Sequence, residues 1–158
     1  MHPTAQKVAQ AAEQLGLNTT IKEFEATTRT AEDAAAAIGC TVAQIVKSLI
    51  FVVAGQPTIA LVSGSNRLDE KKLAALCGVG RKKVKRAEAE LVRQVTGFAI
   101  GGVPPFGHSA KLPTYIDADF WQFALIWAAA GTPNAVFPVT PAELVRVTGG
   151  SVVDLRVE

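Results

Sequence analysis

The sequence has few residues that could bind a metal or form a disulfide. Its 158 residues include two cysteines, Cys40 and Cys77, and two histidines, His2 and His108. The cysteines lie far apart and form no CxxC pair, which argues against a structural zinc site, and we expect neither a metal nor a cofactor. One disulfide is conceivable, but two buried thiols in a reducing compartment are the favoured interpretation.

The sequence also lacks a segment suited to a membrane. No run of about 18 apolar residues occurs. The first residues, MHPTAQKVAQAAEQLG, contain no apolar stretch of the kind found in signal peptides. We therefore expect a cytoplasmic protein that makes no contact with a membrane.

Common catalytic motifs are missing as well. The chain contains no GxSxG, HExxH, Walker lysine or GxGxxG motif. Ser48, Ser63 and Ser65 have no evident histidine partner. If the protein is an enzyme, we therefore expect that it does not use a nucleophile of its own.

The composition and the apolar pattern predict the fold class. Hydrophobic residues make up 49% of the chain and charged residues 19%, so we expect one compact domain over 1–158. Short helices are predicted at 4–15, 31–38, 69–76 and 87–95, and after Thr41 and Thr140. Short strands are predicted at 21–24, 49–53, 58–62, 98–100, 114–116, 135–139 and 152–155, while 120–130 fits either type. Adjacent strands look hairpin-linked, which favours an α+β fold with a mixed, mainly antiparallel sheet.

A bend rich in glycine and proline follows one predicted strand. Gly101 and Gly102 permit a turn with unobstructed amide groups, and Pro104 and Pro105 then fix the backbone. Such a turn suits a ligand carbonyl or phosphate, to which backbone amides can donate. The alternative is a structural loop at a sheet edge, which local chemistry alone favours slightly.

Two single side chains are further candidates. Lys47 lies between a helical turn and a buried strand, where an ammonium group needs an anion or has a lowered pKa. The alternative is a lysine that extends along the sheet to solvent. His108 follows the bend and could assist a site, although a lone loop histidine is more often exposed and without a role.

The basic residues are concentrated in one segment, although the net charge is only +2. The run RKKVKR could attract a polyphosphate backbone, but it contains no aromatic residue for base stacking. The alternative is a solvated charged face balanced by Glu88 and Glu90. The candidate residues are Arg81, Lys82, Lys83, Lys85 and Arg86, with Lys71 and Lys72 before them.

Four stretches together resemble the YbaK/ProX family of aminoacyl-tRNA deacylases, which are homologous to the editing domain of bacterial prolyl-tRNA synthetases. They are IVKSLIF, SGSNRLDEKKLA, TGFAIGGVPPFGH and WAAAGTPNAVFPVTPAELVRVTGG, in the order of that family, and they cover most of the chain from Val46 onward. The resemblance implies a single YbaK-like domain, with a barrel-like sheet and helices packed outside it.

The resemblance also implies a reaction and residues that perform it. The reaction is hydrolysis of the ester of a mischarged tRNA by a positioned water, which requires no protein nucleophile. The family's lysine corresponds to Lys47, which would hold the 3′ end of the tRNA. The amides of Gly101, Gly102 and Val103 would bind the ester carbonyl or its oxyanion. Substrate-binding positions would be Pro104, Pro105, His108 and Ser63, and the basic run would contact the acceptor stem.

The expected substrate is a small amino acid, such as alanine, on tRNA-Pro, and prolyl-tRNA synthetase is a further candidate partner. Many family members, the Cys-tRNA deacylases among them, have serine where this chain has Pro104, which favours the branches that resemble free-standing prolyl-tRNA editing proteins. The alternatives are a Cys-tRNA(Pro) or other small-residue deacylase, and a tRNA-binding module without catalytic activity.

Overall fold

The computed structural model describes residues 1–25 and 30–158. Within them the chain forms five α-helices and eight β-strands. The helices are α1 (Pro3–Gln14), α2 (Ala31–Ile38), α3 (Glu70–Leu76), α4 (Ala89–Thr96) and α5 (Pro141–Thr148). The strands are β1 (Lys22–Glu23), β2 (Val46–Val53), β3 (Gln56–Ser63), β4 (Val84–Arg86), β5 (Thr114–Asp117), β6 (Ile126–Ala129), β7 (Ala135–Val139) and β8 (Ser151–Val153).

The helices begin and end where the capping residues predict. The hydroxyl of Thr30 accepts a hydrogen bond from the amide of Asp33, and Gly39 ends α2 in the left-handed conformation. Asp69 caps α3 in the same way, by accepting from the amides of Lys71 and Lys72. Before β2, Thr41 and Gln44 form the predicted capping box around the 3₁₀ turn Val42–Gln44.

A five-stranded sheet is built around one long hairpin. Its strand order is β4-β2-β3-β5-β8, and β2 and β3 pair along eight residues each, from Val46 opposite Ser63 to Val53 opposite Gln56. Ala54 and Gly55 form the two-residue turn, both with positive φ, as hairpin turns matched to strand twist require. Pro57, which follows this turn, lies in β3.

A three-stranded sheet, β1-β7-β6, lies next to the first. A parallel bridge between Ile45 and Trp127 joins the two sheets. Four strand pairs are antiparallel and two, β3–β5 and β5–β8, are parallel. The prediction of a mixed, mainly antiparallel α+β fold is confirmed, and the sheet does not close into a complete barrel within the described residues.

The five-stranded sheet is apolar on both faces. One face, which includes Ile50, Ile59 and Ile116, packs into the main core with residues of α1, α5 and the second sheet. The other face, which includes Phe51 and Val62, packs against α3. Because both faces are buried, β2 and β3 have nearly continuous apolar sequences, which is why the sequence predicted them readily.

Three local predictions need correction. Residues 98–100 form no strand, because they belong to a turn in which the amide of Gly102 donates to the carbonyl of Ala99. The ambiguous segment 120–130 divides between the 3₁₀ turn Ala118–Gln122 and β6. The basic run, treated as one patch, divides between the 3₁₀ turn Arg81–Lys83 and β4, which pairs with β2.

The two cysteines are free and form no disulfide with each other. We predicted buried thiols, whereas both cysteines are half-buried. The Cys77 thiol contacts the Tyr115 hydroxyl at 3.5 Å. No helix in residues 1–25 and 30–158 is both long enough and apolar enough to cross a membrane.

The bend at Gly101–Pro105 is anchored by a close approach between two backbone segments. The amide of Gly131 donates to the carbonyl of Gly102 at 2.9 Å. A Cβ on Gly102 would lie 2.6 Å from the carbonyl oxygen of Gly131. Because backbone atoms cannot rotate away as a side chain can, this position requires glycine.

We predict that Gly102→Ala lowers the free energy of unfolding by about 1–3 kcal/mol, since the new methyl group forces the two backbone segments apart. Urea unfolding followed by circular dichroism measures this change. Gly80→Ala is the matched control, because a Cβ at Gly80 meets no atom within 4 Å and its φ is negative. Its stability should stay within about 1 kcal/mol of the original. An unchanged stability in Gly102→Ala would contradict the packing role.

Candidate functional site

A cavity of about 300 Å³ opens beside β2. On this side of β2, β4 pairs only with the segment Phe51 to Val53, and the bridge to β6 lies at Ile45. The first half of β2 therefore borders open space between β4 and β6, within the described residues. Lys47, Arg86, Gly101 and Val103 all line this space. Residues that are 56 positions apart along the chain thus meet at one site.

The walls of the cavity are apolar and built from small side chains. Five alanines from three elements contribute to them, and larger side chains, among them Trp127, Val103 and Leu49, supply the rest of the apolar surface. Small side chains leave the volume free, and the sheet and α2 hold the walls in place. The alanines are Ala31, Ala34, Ala128, Ala129 and Ala135.

Lys47 lies at the polar side of the cavity and is only half-buried. Its Nζ donates to the carbonyl oxygen of Asn66 at 2.5 Å. The side chain of Asn66 in turn donates to Asp117 at 2.9 Å and to Asp119 at 2.7 Å. The loop after β3 therefore orients the lysine through a backbone carbonyl, and carboxylates hold that loop.

Asp117 is the buried centre of this network, with 2% of its surface exposed. Besides Asn66 it accepts hydrogen bonds from the amides of Ser63 at 3.0 Å and Asp119 at 2.9 Å. A buried carboxylate needs such donors, because an unpaired charge is costly in the interior. Sequence analysis missed Asn66, Asp117 and Asp119. The one signal was polar residues inside SGSNRLD and YIDADF, directly after apolar strands.

Burial and the neighbouring charged groups act on the pKa of Lys47 in opposite directions. Burial lowers the pKa of the Lys47 ammonium below its ordinary value. The carboxylates of Glu32 and Asp117 raise this pKa, whereas the guanidinium of Arg86 lowers it. Lys47 and Arg86 together make this side of the cavity strongly cationic, so it suits an anionic group such as a phosphate.

Arg86 is held without an acidic partner. Its guanidinium lies 5.7 Å from the centre of the Phe51 ring, a cation–π arrangement. It forms no ion pair with any described carboxylate. Its planar donors are therefore free to bind a phosphate or carboxylate of a ligand.

The bend contributes two of its three predicted residues to the cavity. Gly101 and Val103 line it, and their amides donate to no described group. Gly102 is buried and its amide is already bonded to Ala99. Of the three amides predicted to meet a ligand, that of Gly102 is thus already engaged, and Gly102 holds the bend against Gly131.

Four further predicted positions lie outside the cavity lining. Pro104 and Pro105 form the buried end of the bend. His108 Nε2 donates to the carbonyl of Pro104 at 2.6 Å, and burial lowers the pKa of this imidazole. Ser63 is 1% exposed, and its hydroxyl donates to the carbonyl of Ala43 at 2.6 Å. The contacts of His108 and Ser63 are thus internal to the protein, and the predicted contact of these four residues with substrate stays a prediction.

The residues of the predicted basic patch fall into four groups. Lys72 is paired with Asp154 and Glu158, and Arg81 with Glu70. Arg86 belongs to the cavity. Lys82, Lys83 and Lys85 surround a second, open hollow beside the hairpin turn, and Lys71 is exposed on α3. Fewer unpaired basic side chains are therefore available to a nucleic acid than the sequence suggests. The three lysines of the hollow lie on β4 and on the 3₁₀ turn before it.

Comparison with known proteins identifies relatives that share the fold. Residues 25–147 match the family model of the aminoacyl-tRNA editing domain. A crystal structure of a candidate trans-editing enzyme for prolyl-tRNA synthetase superposes with a TM-score of 0.95 and 46% identity, over 100% of this chain and 99% of that one.

The curated relatives include a candidate deacylase and a larger tRNA ligase. EbsC of Enterococcus faecalis, a candidate Cys-tRNA(Pro)/Cys-tRNA(Cys) deacylase, is 29% identical over 79% of this chain and 76% of its own length. The proline–tRNA ligase of Elusimicrobium minutum is 34% identical over 65% of this chain and 18% of the ligase. The likeness to the ligase is therefore confined to one segment of that larger protein.

We predict that two substitutions shift the pKa of Lys47 in opposite directions. Arg86→Gln should raise this pKa, because a neighbouring positive charge no longer disfavours the ammonium form. Glu32→Gln should lower it further, because an attractive negative charge is lost. NMR titration of the ¹³Cε resonance of Lys47, assigned with Lys47→Arg, measures both shifts. Shifts of the same sign in both variants would contradict the proposed electrostatics.

Proposed function

Because the chain belongs to the aminoacyl-tRNA editing domain family, we propose that it is a trans-editing deacylase that hydrolyses the ester of a mischarged tRNA. The products are the free amino acid and a tRNA with a free 3′-terminal hydroxyl. The observation that carries the proposal is the single cavity that joins Lys47, Arg86 and the Gly101–Val103 bend to a small apolar chamber.

The cationic side of the cavity binds the 3′ end of the tRNA. Lys47 and Arg86 contact the phosphate or polar groups of the terminal adenosine. The hydrogen bond from Lys47 to the carbonyl of Asn66 restricts the lysine before substrate arrives. Such preorganisation reduces the entropy that binding must remove.

The bend stabilises the charge that develops on the ester carbonyl. When water attacks this carbon, its oxygen becomes an oxyanion, and amide groups that are already oriented stabilise it without reorganising. The free amides of Gly101 and Val103 are the donors. An aminoacyl ester is reactive, so a positioned water suffices and no protein nucleophile is needed.

The apolar chamber selects a small amino acid. Its alanine-rich walls accept the methyl group of alanine, and the rigid surfaces of Trp127 and Val103 limit anything larger. A pocket that is too small for a larger amino acid rejects it strongly. A pocket that prefers a larger amino acid over a smaller one gains only about 1–3 kcal/mol for each additional methylene group. Alanine on tRNA-Pro is the proposed substrate.

Cysteine is the second candidate amino acid. The 29% identity to EbsC, whose name assigns it to Cys-tRNA substrates, supports this alternative. A thiol is small enough for the same chamber. The two candidates use the same residues and differ only in the amino acid that fits.

The tRNA itself is held mainly by its phosphates. Lys82, Lys83 and Lys85 form an exposed basic hollow on the strand that also carries Arg86, so the acceptor stem can extend from the cavity across β4. Contacts of this kind supply affinity and salt dependence rather than base readout. Prolyl-tRNA synthetase is the proposed protein partner, consistent with the match to a segment of proline–tRNA ligase.

We predict that the protein hydrolyses Ala-tRNA-Pro and spares Pro-tRNA-Pro by at least about tenfold, because the chamber excludes the larger ring. Deacylation of a panel of tRNA-Pro charged with alanine, cysteine, serine or proline measures this preference. Faster hydrolysis of the cysteinyl ester would favour the second candidate. Equal rates for every ester, or none at all, would contradict selective editing.

We predict that Lys47→Ala lowers the single-turnover rate about a hundredfold while the protein remains folded. The matched control is Lys111→Ala, since Lys111 is exposed and lies outside the cavity. Circular dichroism checks the fold, and filter binding checks tRNA affinity. A non-catalytic tRNA-binding module would show no deacylation above background in either protein, which would reject the enzyme.

A further inference from the structure

Ser48 is the residue after Lys47 in β2. Its main-chain N–H and C=O groups point toward the cavity and pair with no described strand. The amide of Ala87 donates to the carbonyl of Ile50, and the amide of Ala54 donates to the carbonyl of Lys83. Even-numbered residues of β2 therefore direct their main-chain groups toward the β4 side, because this direction alternates along a strand. At Ser48 the strand β4 has ended, and no described strand takes its place. Its N–H and C=O border the cavity that Ser48 lines.

The hydroxyl of Ser48 also lacks a partner. It is the single buried side-chain oxygen or nitrogen in residues 1–25 and 30–158 without a hydrogen bond. An unsatisfied buried hydroxyl is unfavourable, so a purely structural role would be served better by alanine. The other two hydroxyl side chains among the described lining residues are engaged: Thr30 accepts from the amide of Asp33, and Thr132 donates to the side-chain oxygen of Asn134 at 3.0 Å.

The described side chains that line the cavity are neutral or cationic. No carboxylate occurs among them, while Lys47 and Arg86 supply two positive charges. An aminoacyl ester brings its own α-ammonium group, which these cations repel. This group needs neutral acceptors, and the unpartnered hydroxyl and the uncovered carbonyl of Ser48 are two that the described wall offers.

We propose that Ser48 binds the α-ammonium group of the aminoacyl ester through its hydroxyl and its outward-facing carbonyl, and thereby positions the ester carbonyl for the amides of Gly101 and Val103. The hydroxyl reaches the ligand by rotating about the Cα–Cβ bond between staggered positions. Ser48 is thus a substrate-binding residue that recognises the group all amino acids share, whereas the chamber discriminates between their side chains. This inference rests on the proposed deacylase function.

The test compares two esters in single-turnover assays. One is alanyl-tRNA-Pro, and the other is propionyl-tRNA-Pro, which has the same carbon skeleton without the amino group. Ser48→Ala should slow hydrolysis of the alanyl ester about tenfold, the effect of losing a hydrogen bond to a charged group. It should leave the rate for the propionyl ester within about twofold of the unsubstituted protein.

A stability measurement separates this role from a structural one. Ser48→Ala should leave the urea midpoint unchanged or raise it, because it removes an unpaired hydroxyl. The matched control, Ser63→Ala, should lower the midpoint, because it removes the donor to the carbonyl of Ala43.

Two results would overturn the inference while the proposed function stands. They are an alanyl rate in Ser48→Ala equal to that of the unsubstituted protein, and equal losses on both esters. Failure of the unsubstituted protein to hydrolyse either ester would instead overturn the proposed function, and the inference with it.

Discussion

Strand β2 is paired along its whole length on one side and along only three residues on the other, and the site depends on this asymmetry. Full pairing with β3 keeps β2 rigid and fixes which residues point to which face. The early end of β4 leaves a gap beside the first half of β2, and the bridge between Ile45 and Trp127 joins the second sheet just before this gap. The cavity is this gap, so the long hairpin forms one of its walls.

Two supports hold the groups that surround the gap. Asp117, which is buried at the end of β5, gathers the amide of Ser63 and the side chain of Asn66, and thereby sets the carbonyl that receives Lys47. On the opposite side, the contact of Gly102 with Gly131 fixes the bend. Neither support lines the cavity. The groups proposed to meet the substrate are thus carried by residues that have no contact with it.

Cationic and apolar surfaces lie in different parts of the site. Positive charge is concentrated at Lys47, at Arg86 and in the lysine hollow along β4, while the chamber beyond them is apolar. A mischarged tRNA has the complementary arrangement, with phosphates followed by a small amino acid at the end. The acidic partners of Lys72 and Arg81 remove those two cations from the part of the surface that a nucleic acid can use.

The sequence by itself determined most of the helices and the central hairpin, and it singled out Lys47 and the Gly101 bend, which line one cavity. These depend on local chemistry: caps at Thr30 and Asp69, apolar runs in two buried strands, and glycines beside prolines. Only the tertiary structure decided that Gly102 packs against Gly131, that Asp117 holds the side chain of Asn66, and that the carbonyl of Asn66 orients the lysine. Each of those outcomes depends on a partner that lies far away in the chain. Sequence patterns report what a residue can do, whereas long-range strand pairing decides which groups are already engaged and which remain free for a ligand.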